Sequence, residues 1–175
     1  MKHALIPILG LAAPSGTGKT TLLTQLIPQL KQHDIRVGLI KHSHHNFQID
    51  KPGKDSFRLR EAGATPVMLV SSHRRAIITE FATPEEPSLN EQLKYFDQSS
   101  LDLILVEGFK SETFPKIELH RPSLELAQLY PDDSSIIAIA TDHEISIKRE
   151  IITLDLNNIP QIADFILRTF LKKHD

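Results

Sequence analysis

Residues 13–20 have the residue types of a loop that binds phosphate groups. They read Ala-Pro-Ser-Gly-Thr-Gly-Lys-Thr, which matches the Walker A pattern at the Gly-Lys-Thr end but has Ala13 where the pattern begins with glycine. Gly16 and Gly18 give the backbone the freedom to curl its N–H groups around phosphates. Because alanine is costly at a positive φ, we expect Ala13 to have an ordinary strand-exit conformation. The predicted nucleotide-binding residues of the loop are Ser15, Gly16, Thr17, Gly18, Lys19, Thr20 and Thr21.

The last residues of this loop have distinct expected roles. Lys19 would be solvated until a ligand arrives and would then reach the β- and γ-phosphates, while the Thr20 hydroxyl would bind Mg²⁺. The helix that follows would turn its positive end toward the anion. A simpler interpretation is that Ser15 or Thr20 only caps this helix. The apolar strand before the loop and the amphipathic helix after it favour the phosphate loop.

A carboxylate ends the apolar run of residues 103–106. Glu107 has the position at which a Walker B element delivers an acid to Mg²⁺ or to its water. Ligands of open α/β sheets bind at the carboxyl ends of strands, so we predict Glu107 as a catalytic residue and, with Thr20, as a metal ligand. Asp102 begins the same strand and is expected at the opposite edge. An acid at a strand end is also often an ordinary solvated residue.

The polar stretch after the second predicted strand lies at the same edge of the sheet, and it has three interpretations. A transition-metal site would use His42, His44 and His45, but their spacing specifies no ligand geometry. A solvated loop is the plainest alternative. We favour a switch-like segment over the phosphates, in which Lys41, His42 and Asp50 sense the γ-phosphate or its Mg²⁺. Asp50 is therefore the second candidate catalytic residue.

Asp142 follows the apolar run of residues 136–140, again at a strand exit. A carboxylate there would accept hydrogen bonds from N1 and N2 of guanine, which adenine cannot supply. This prediction depends on a single residue, and a turn-forming aspartate explains it equally well. The residues alone therefore leave the base preference open.

Composition excludes several classes of protein. The 175 residues are 40% hydrophobic and 24% charged, and the net charge of −2 provides no basic field for a nucleic acid. The chain has no cysteine, which excludes disulfides and thiolate metal sites.

The start of the chain imitates a signal peptide, but Pro7 interrupts the apolar run and cleavage near Ala13 would remove the strand before the loop. No apolar run approaches the roughly 20 residues that span a bilayer. We expect a cytoplasmic protein with no nucleic-acid or membrane partner.

Apolar runs alternate with helical periods along the chain. The predicted strands are residues 5–12, 35–40, 67–70, 76–79, 101–106 and 136–140, and the predicted helices are residues 20–32, 55–62, 89–96 and 159–171. The runs at 101–106 and 136–140 are typical of strands buried on both faces of a parallel sheet. This order predicts a single domain over residues 1–175 with a three-layer α/β fold, namely a P-loop NTPase fold with a mostly parallel sheet.

Several segments, taken in order, resemble one protein family over essentially the whole chain. They are the Ser-Gly-Thr-Gly-Lys-Thr-Thr loop, Lys41-His42-Ser43-His44-His45, Asp50-Lys51-Pro52-Gly53-Lys54-Asp55-Ser56, Ala62-Gly63-Ala64 and residues 103–110. The family they resemble is molybdopterin-guanine dinucleotide biosynthesis protein B, or MobB. The resemblance implies a homodimeric GTP-binding protein with weak GTPase activity that is an adapter to the guanylyltransferase joining GMP to molybdopterin. The resemblance implies that Gly16, Gly18, Lys19 and Thr20 bind phosphate. It also implies that Glu107 has the role of the acidic residue that ends a strand in this family.

A second argument for a homodimer comes from residues 114–119. Apolar residues alternate with other residues along this segment, which follows the strand that ends in Glu107. The segment would form an exposed strand that needs a partner.

Our leading interpretation is a regulatory binding module that hydrolyses GTP weakly at most. GTP would occupy the loop, and its γ-phosphate would order the polar stretch that contains His42, His44 and His45. The ordered surface would then bind a partner enzyme. Hydrolysis is expected to be slow because no motif places an arginine at the transition state. The alternative is a phosphotransferase for a small acceptor, with Glu107 or Asp50 as base and Arg74 or Arg75 clamping charge. A third interpretation is a metallochaperone NTPase that uses the three histidines.

Overall fold

A computed structural model describes residues 1–43 and 46–173 of the chain. The chain divides into a larger compact unit, Met1–His42 with Ser88–Asp175, and a smaller one, Ser43–Pro87. The interpretation of the whole chain as one nucleotide-binding domain stays a prediction.

Eight strands and four α-helices lie in the described residues. The strands are β1 (Ile8–Ala12), β2 (Val37–Lys41), β3 (Val67–Val70), β4 (Arg75–Ile78), β5 (Leu103–Glu107), β6 (Lys116–His120), β7 (Ile136–Thr141) and β8 (Ile152–Asp155). The helices are α1 (Lys19–Gln32), α2 (Asp55–Glu61), α3 (Leu89–Gln92) and α4 (Ile159–Asp164). A 3₁₀ turn, Leu93–Tyr95, follows α3, and a π-helical stretch, Phe165–Phe170, continues α4.

The larger unit is built on a six-stranded sheet with the order β2-β5-β1-β6-β7-β8. Every neighbouring pair of strands in it is parallel. Because the strands run the same way, all their carboxyl ends meet at one edge. The loop after the central strand β1 therefore lies beside the ends of β5 and β6.

Side chains alternate between the two faces of this sheet, and each face is covered. Leu9 and Leu11 of β1 pack with α1 and α4 on one face, whereas Ile8 packs on the other. The buried residues of α1 are Leu22, Leu23, Leu26 and Leu30. The second face is covered by Leu89, Leu93, Phe109 and Phe114. This arrangement confirms the predicted three-layer α/β fold.

One strand is buried where we expected it to be exposed. β6 lies between β1 and β7, and all five of its residues are buried. Its polar side chains have partners inside the protein: Lys116 Nζ donates to Ser135 Oγ at 2.7 Å, and Glu118 accepts from the N–H groups of Leu129 and Tyr130 at 2.8 and 2.7 Å. Alternating polarity therefore marks a paired internal strand here, and the prediction of an exposed strand at residues 114–119 is wrong.

The smaller unit contains α2 and an antiparallel hairpin of β3 and β4. α2 has no buried residue. Met68 and Ile77 are paired across the hairpin, and they are 56% and 54% exposed. Val70, two residues along the same face from Met68, is 74% exposed. The hairpin thus presents an apolar face.

Within the described part of the chain, no helix has the length and apolar character needed to cross a membrane.

Candidate nucleotide-binding site

The phosphate loop leads directly from β1 into α1. Gly18 is the N-cap residue, with a left-handed φ of 103°, and no side chain among the described residues caps the helix. Gly16 also has a positive φ, 82°. The interpretation of Ser15 or Thr20 as a simple cap is therefore wrong, and the first-turn N–H groups face a position suited to an anion.

The entry to the loop has the geometry that the sequence predicted. Ala13 is buried and is not one of the residues with a positive φ, so alanine is accommodated here without strain. The Thr17 hydroxyl donates to the Pro14 carbonyl at 3.0 Å. This hydrogen bond closes the curl of the loop.

We expected the Lys19 ammonium to be solvated, but it forms hydrogen bonds within the loop. Its Nζ donates to the carbonyls of Ala13 and Pro14 at 3.0 and 2.8 Å. Burial lowers the pKa of Lys19, nearby Glu107 opposes this effect, and Lys110 and Lys41 lower the pKa further. The ammonium is thus held at the mouth of the loop, in a neighbourhood rich in lysine.

Glu107 is the last residue of β5 and lies at the predicted edge. The register places it beside Leu11 of β1 and Lys41 of β2. Its side chain is 12% exposed, and Oε2 lies 3.2 Å from Lys41 Nζ. Asp102 precedes β5 at the opposite edge, where it accepts from Arg36 Nε and Nη2 at 2.9 and 3.1 Å. Its expected place at the opposite edge of the sheet is confirmed.

Gly108 lets the chain turn sharply after Glu107. It has a φ of 99°, and a Cβ added to it would lie 2.6 Å from the Cβ of His42. The His42 ring stacks on Phe109, with centroids 4.7 Å apart, and the His42 N–H donates to the Glu107 carbonyl at 2.8 Å. The ends of β2 and β5 are therefore locked together beside the phosphate loop.

We expect Gly108→Ala to destabilise the protein, because alanine at this φ is strained and its Cβ would displace His42. Strain alone costs about 1–3 kcal/mol, and the clash adds about as much again. The control is Gly63→Ala, where φ is 102° but no atom of residues 1–43 or 46–173 lies within 4 Å of an added Cβ. Urea unfolding should show a larger loss for Gly108→Ala. Equal losses of unfolding free energy in the two variants would mean that His42 does not restrict the space for a Cβ at position 108.

Asp142 follows β7 at the same edge of the sheet, and its side chain is 10% exposed. Its Oδ2 forms an ion pair with Arg121 Nη1, and its Oδ1 lies 3.1 Å from His143 Nδ1. Burial by itself would raise the pKa of Asp142, but the contacts with His143 and Arg121 outweigh burial and lower it. The carboxylate is therefore ionised at neutral pH.

Arg121 is a residue of this region that the sequence analysis missed. It follows β6, and its Nε donates to the Thr17 carbonyl of the phosphate loop at 3.0 Å. The sequence places Arg121 directly after the segment that forms β6. This position indicates a site residue only once β6 is known to lie inside the sheet, beside β1.

Asp50 lies in the smaller unit. Its Oδ1 accepts from the Lys51 N–H at 3.0 Å and from Ser56 Oγ at 2.9 Å. Among the described residues, its buried Oδ2 has no hydrogen-bond partner. Its catalytic role stays a prediction.

The proposed histidine metal site falls partly outside the described residues, because His44 and His45 lie there. Within residues 1–43 and 46–173, no group of three His, Cys, Asp or Glu side chains could hold a metal ion. The metallochaperone interpretation stays a prediction.

A curled loop between a central parallel strand and an uncapped helix, with a lysine at its mouth, defines the class of α/β proteins with a phosphate loop. The family model described as molybdopterin guanine dinucleotide synthesis protein B, or MobB, matches residues 8–142. The chain belongs to this family, as its motifs predicted.

Individual relatives agree with this assignment. The chain is 52% identical over 162 residues to the molybdopterin-guanine dinucleotide biosynthesis adapter protein of Haemophilus influenzae, covering 92% of this chain and 88% of that protein. It is 46% identical over 176 residues to the protein of that name from Escherichia coli, covering 97% of each. The crystal structure of a molybdopterin-guanine biosynthesis protein B matches with a TM-score of 0.73 at 25% identity, covering 95% of this chain and 99% of that one.

Proposed function

We propose that this protein is a GTP-binding adapter that assists the guanylyltransferase of molybdopterin guanine dinucleotide synthesis. The observation that carries the nucleotide part is the loop itself, where Gly18 begins an uncapped helix and Lys19 is held at the mouth. The adapter role is taken from the names of the two relatives that cover most of the chain.

The residues of the site fit a magnesium nucleotide. Thr20 is exposed in the first turn of α1, and Glu107 ends β5, the strand beside β1; these two residues would hold Mg²⁺, with Glu107 exchanging its contact with Lys41 for the metal. Bound Mg²⁺ would neutralise part of the phosphate charge. The lysines around the loop supply the local positive charge that a triphosphate needs, although the net charge of the chain is −2. Asp142 would read the guanine through its remaining lone pairs.

Weak hydrolysis also agrees with the contacts of Arg121. An arginine that accelerates GTP hydrolysis must place its guanidinium on the transferring phosphate. Arg121 instead donates to the Thr17 carbonyl and is paired with Asp142. We therefore propose slow turnover, with Glu107 or Asp50 acting on the attacking water.

The adapter function can be tested by the association of this protein with the guanylyltransferase from the same source. Surface plasmon resonance with the immobilised enzyme should show tighter association in Mg·GTP than without nucleotide. Lys19→Ala should lose this dependence on GTP. Association that is identical with and without GTP would contradict the proposal. Turnover near 1–100 per second with a small acceptor would instead favour a phosphotransferase.

We also propose that the protein is a cytoplasmic homodimer, and the hairpin of the smaller unit is the candidate contact surface. Exposed apolar side chains on one face of a two-stranded hairpin favour burial against a second copy. Light scattering should give about 39 kDa, twice the chain mass of 19.7 kDa. Ile77→Asp on this face should shift the mass toward that of the monomer, and Leu5→Asp, at an exposed position in the larger unit, should not. A monomer in the wild type at micromolar concentration would contradict the proposal.

A further inference from the structure

The phosphate loop and the strand end that carries Asp142 are joined by one side chain. We propose that Arg121 is a positioning residue that fixes the shape of the phosphate loop, and that Asp142 acts on phosphate binding through Arg121. This inference rests on the proposed nucleotide site. It gives Asp142 a role beyond the reading of a base.

The contact of Arg121 with Thr17 fixes the orientation of one peptide group in the loop. Arg121 Nε donates to the Thr17 carbonyl at 3.0 Å. In a trans peptide, the carbonyl of one residue and the N–H of the next point in opposite directions. The N–H of Gly18 therefore points away from Arg121. A phosphate loop binds through its N–H groups, so this contact fixes the direction of one group of the kind that the loop uses.

The peptide that Arg121 holds is also one that would otherwise rotate easily. Gly18 has no side chain and has a φ of 103°, so it opposes a rotation of the peptide less than any other residue type would. Arg121 Nη2 lies 3.6 Å from the position of a Cβ on Gly18, and Nε lies 3.9 Å from it. The guanidinium thus covers Gly18 as well as holding the carbonyl before it.

Asp142 gives the guanidinium its orientation. Arg121 follows β6 and Asp142 follows the neighbouring strand β7, and the ion pair links Nη1 to Oδ2. An arginine presents its donors in a rigid planar fork, so fixing Nη1 also fixes the direction of Nε. The Asp142 side chain is mostly buried, which reduces screening by solvent and strengthens the pair.

A ligand without a base separates the two roles of Asp142. If Asp142 only reads guanine, Asp142→Asn leaves the affinity for inorganic tripolyphosphate unchanged. If it positions Arg121, the same substitution weakens tripolyphosphate binding. Two residues that act through one contact are also not additive, so the double variant should be no worse than the more damaging single one.

The test is a calorimetric titration of the full chain with Mg²⁺ and tripolyphosphate. Arg121→Gln should lower the affinity about tenfold, the scale of one charge-assisted hydrogen bond. Asp142→Asn should lower the affinity in the same direction, and the double variant should match Arg121→Gln. Arg121→Lys keeps the charge but cannot hold both groups at once, and it should resemble Arg121→Gln.

A matched control is Arg149→Gln. Arg149 also donates to backbone carbonyls, those of Tyr130 at 2.9 Å and Ile136 at 3.0 Å, but it does so at the other end of β7. This variant should keep wild-type tripolyphosphate affinity even if it unfolds at a lower temperature.

Three other results would contradict the roles given to Arg121, Asp142 or the loop. Full affinity in Arg121→Lys would overturn the inference, because charge alone would then suffice. Unchanged affinity in both Asp142→Asn and Arg121→Gln would overturn it while leaving the nucleotide site intact. A wild type that binds neither tripolyphosphate nor GTP would overturn the proposed function itself.

Discussion

Lys19→Ala is expected to lower the affinity for Mg·GTP by roughly 30-fold or more. Removing one member of a desolvated charge pair costs about 2–5 kcal/mol, and each 1.4 kcal/mol is about tenfold in affinity. Lys19 is suited to this role because its Nζ is already held at the loop by the carbonyls of Ala13 and Pro14. A triphosphate would therefore meet an ammonium whose position is largely fixed.

The control for this prediction is Lys31→Ala, at the last turn of the same helix. It removes the same charge far along α1 and should leave the affinity for GTP nearly unchanged. Calorimetric titration measures both variants, and circular dichroism shows whether each is folded. Unchanged affinity in folded Lys19→Ala would contradict the assignment of residues 13–20 as a phosphate-binding loop.

Glu107→Gln is expected to slow GTP hydrolysis about 10²-fold while most of the GTP affinity remains. The amide keeps the shape of the side chain but removes the negative charge that would order Mg²⁺ or polarise the attacking water, and the loss of one such electrostatic element is commonly of this size. Affinity should largely persist because Lys19 and the loop N–H groups carry the phosphate charge. Single-turnover hydrolysis and equilibrium affinity, each at saturating Mg²⁺, separate the two effects.

Asp102→Asn provides the matched control for Glu107→Gln. Asp102 lies just before the same strand and is also paired with a cation, Arg36, but at the opposite edge of the sheet. Its substitution should leave the hydrolysis rate unchanged. If Glu107→Gln likewise keeps the wild-type rate, Glu107 is only a strand-end residue, and the Mg²⁺-side role passes to Asp50.

The phosphate loop and the sheet around it could be predicted because their signals are local. Gly16, Gly18 and Lys19 lie within four residues of one another, between an apolar strand and a helix whose leucines repeat at helical spacing. Glu107 followed from the rule that parallel strands share a carboxyl edge. The structure places these features where the sequence predicted them.

The role of β6 could not be predicted because it depends on residues far along the chain. Lys116 and Glu118 look like the polar face of an exposed strand, but each has buried partners. Lys116 contacts Asp133 and Ser135, and Glu118 accepts from the N–H groups of Leu129 and Tyr130. A buried charged group without such partners is strongly disfavoured, so the sequence alone suggested exposure. The strand β8 was also missed, since it is short and three of its four residues are exposed.

Arg121 was hidden for the same reason. Its contact with the phosphate loop joins residues 104 positions apart, and no local pattern marks an arginine as a partner of a backbone carbonyl. The Gly108 turn is comparable, because the space that a Cβ would need is taken by His42, the residue after β2. Local motifs predict the phosphate loop and Glu107, but the other contacts at this edge of the sheet join residues far apart in the sequence.

We propose that the phosphate loop is a GTP site, and calorimetric titration of the wild-type chain with GTP, GDP and ATP, each with saturating Mg²⁺, measures this. We predict one GTP per chain, bound more tightly than GDP because of the γ-phosphate and more tightly than ATP because of Asp142. Absence of GTP binding, or equal affinity for all three nucleotides, would contradict it.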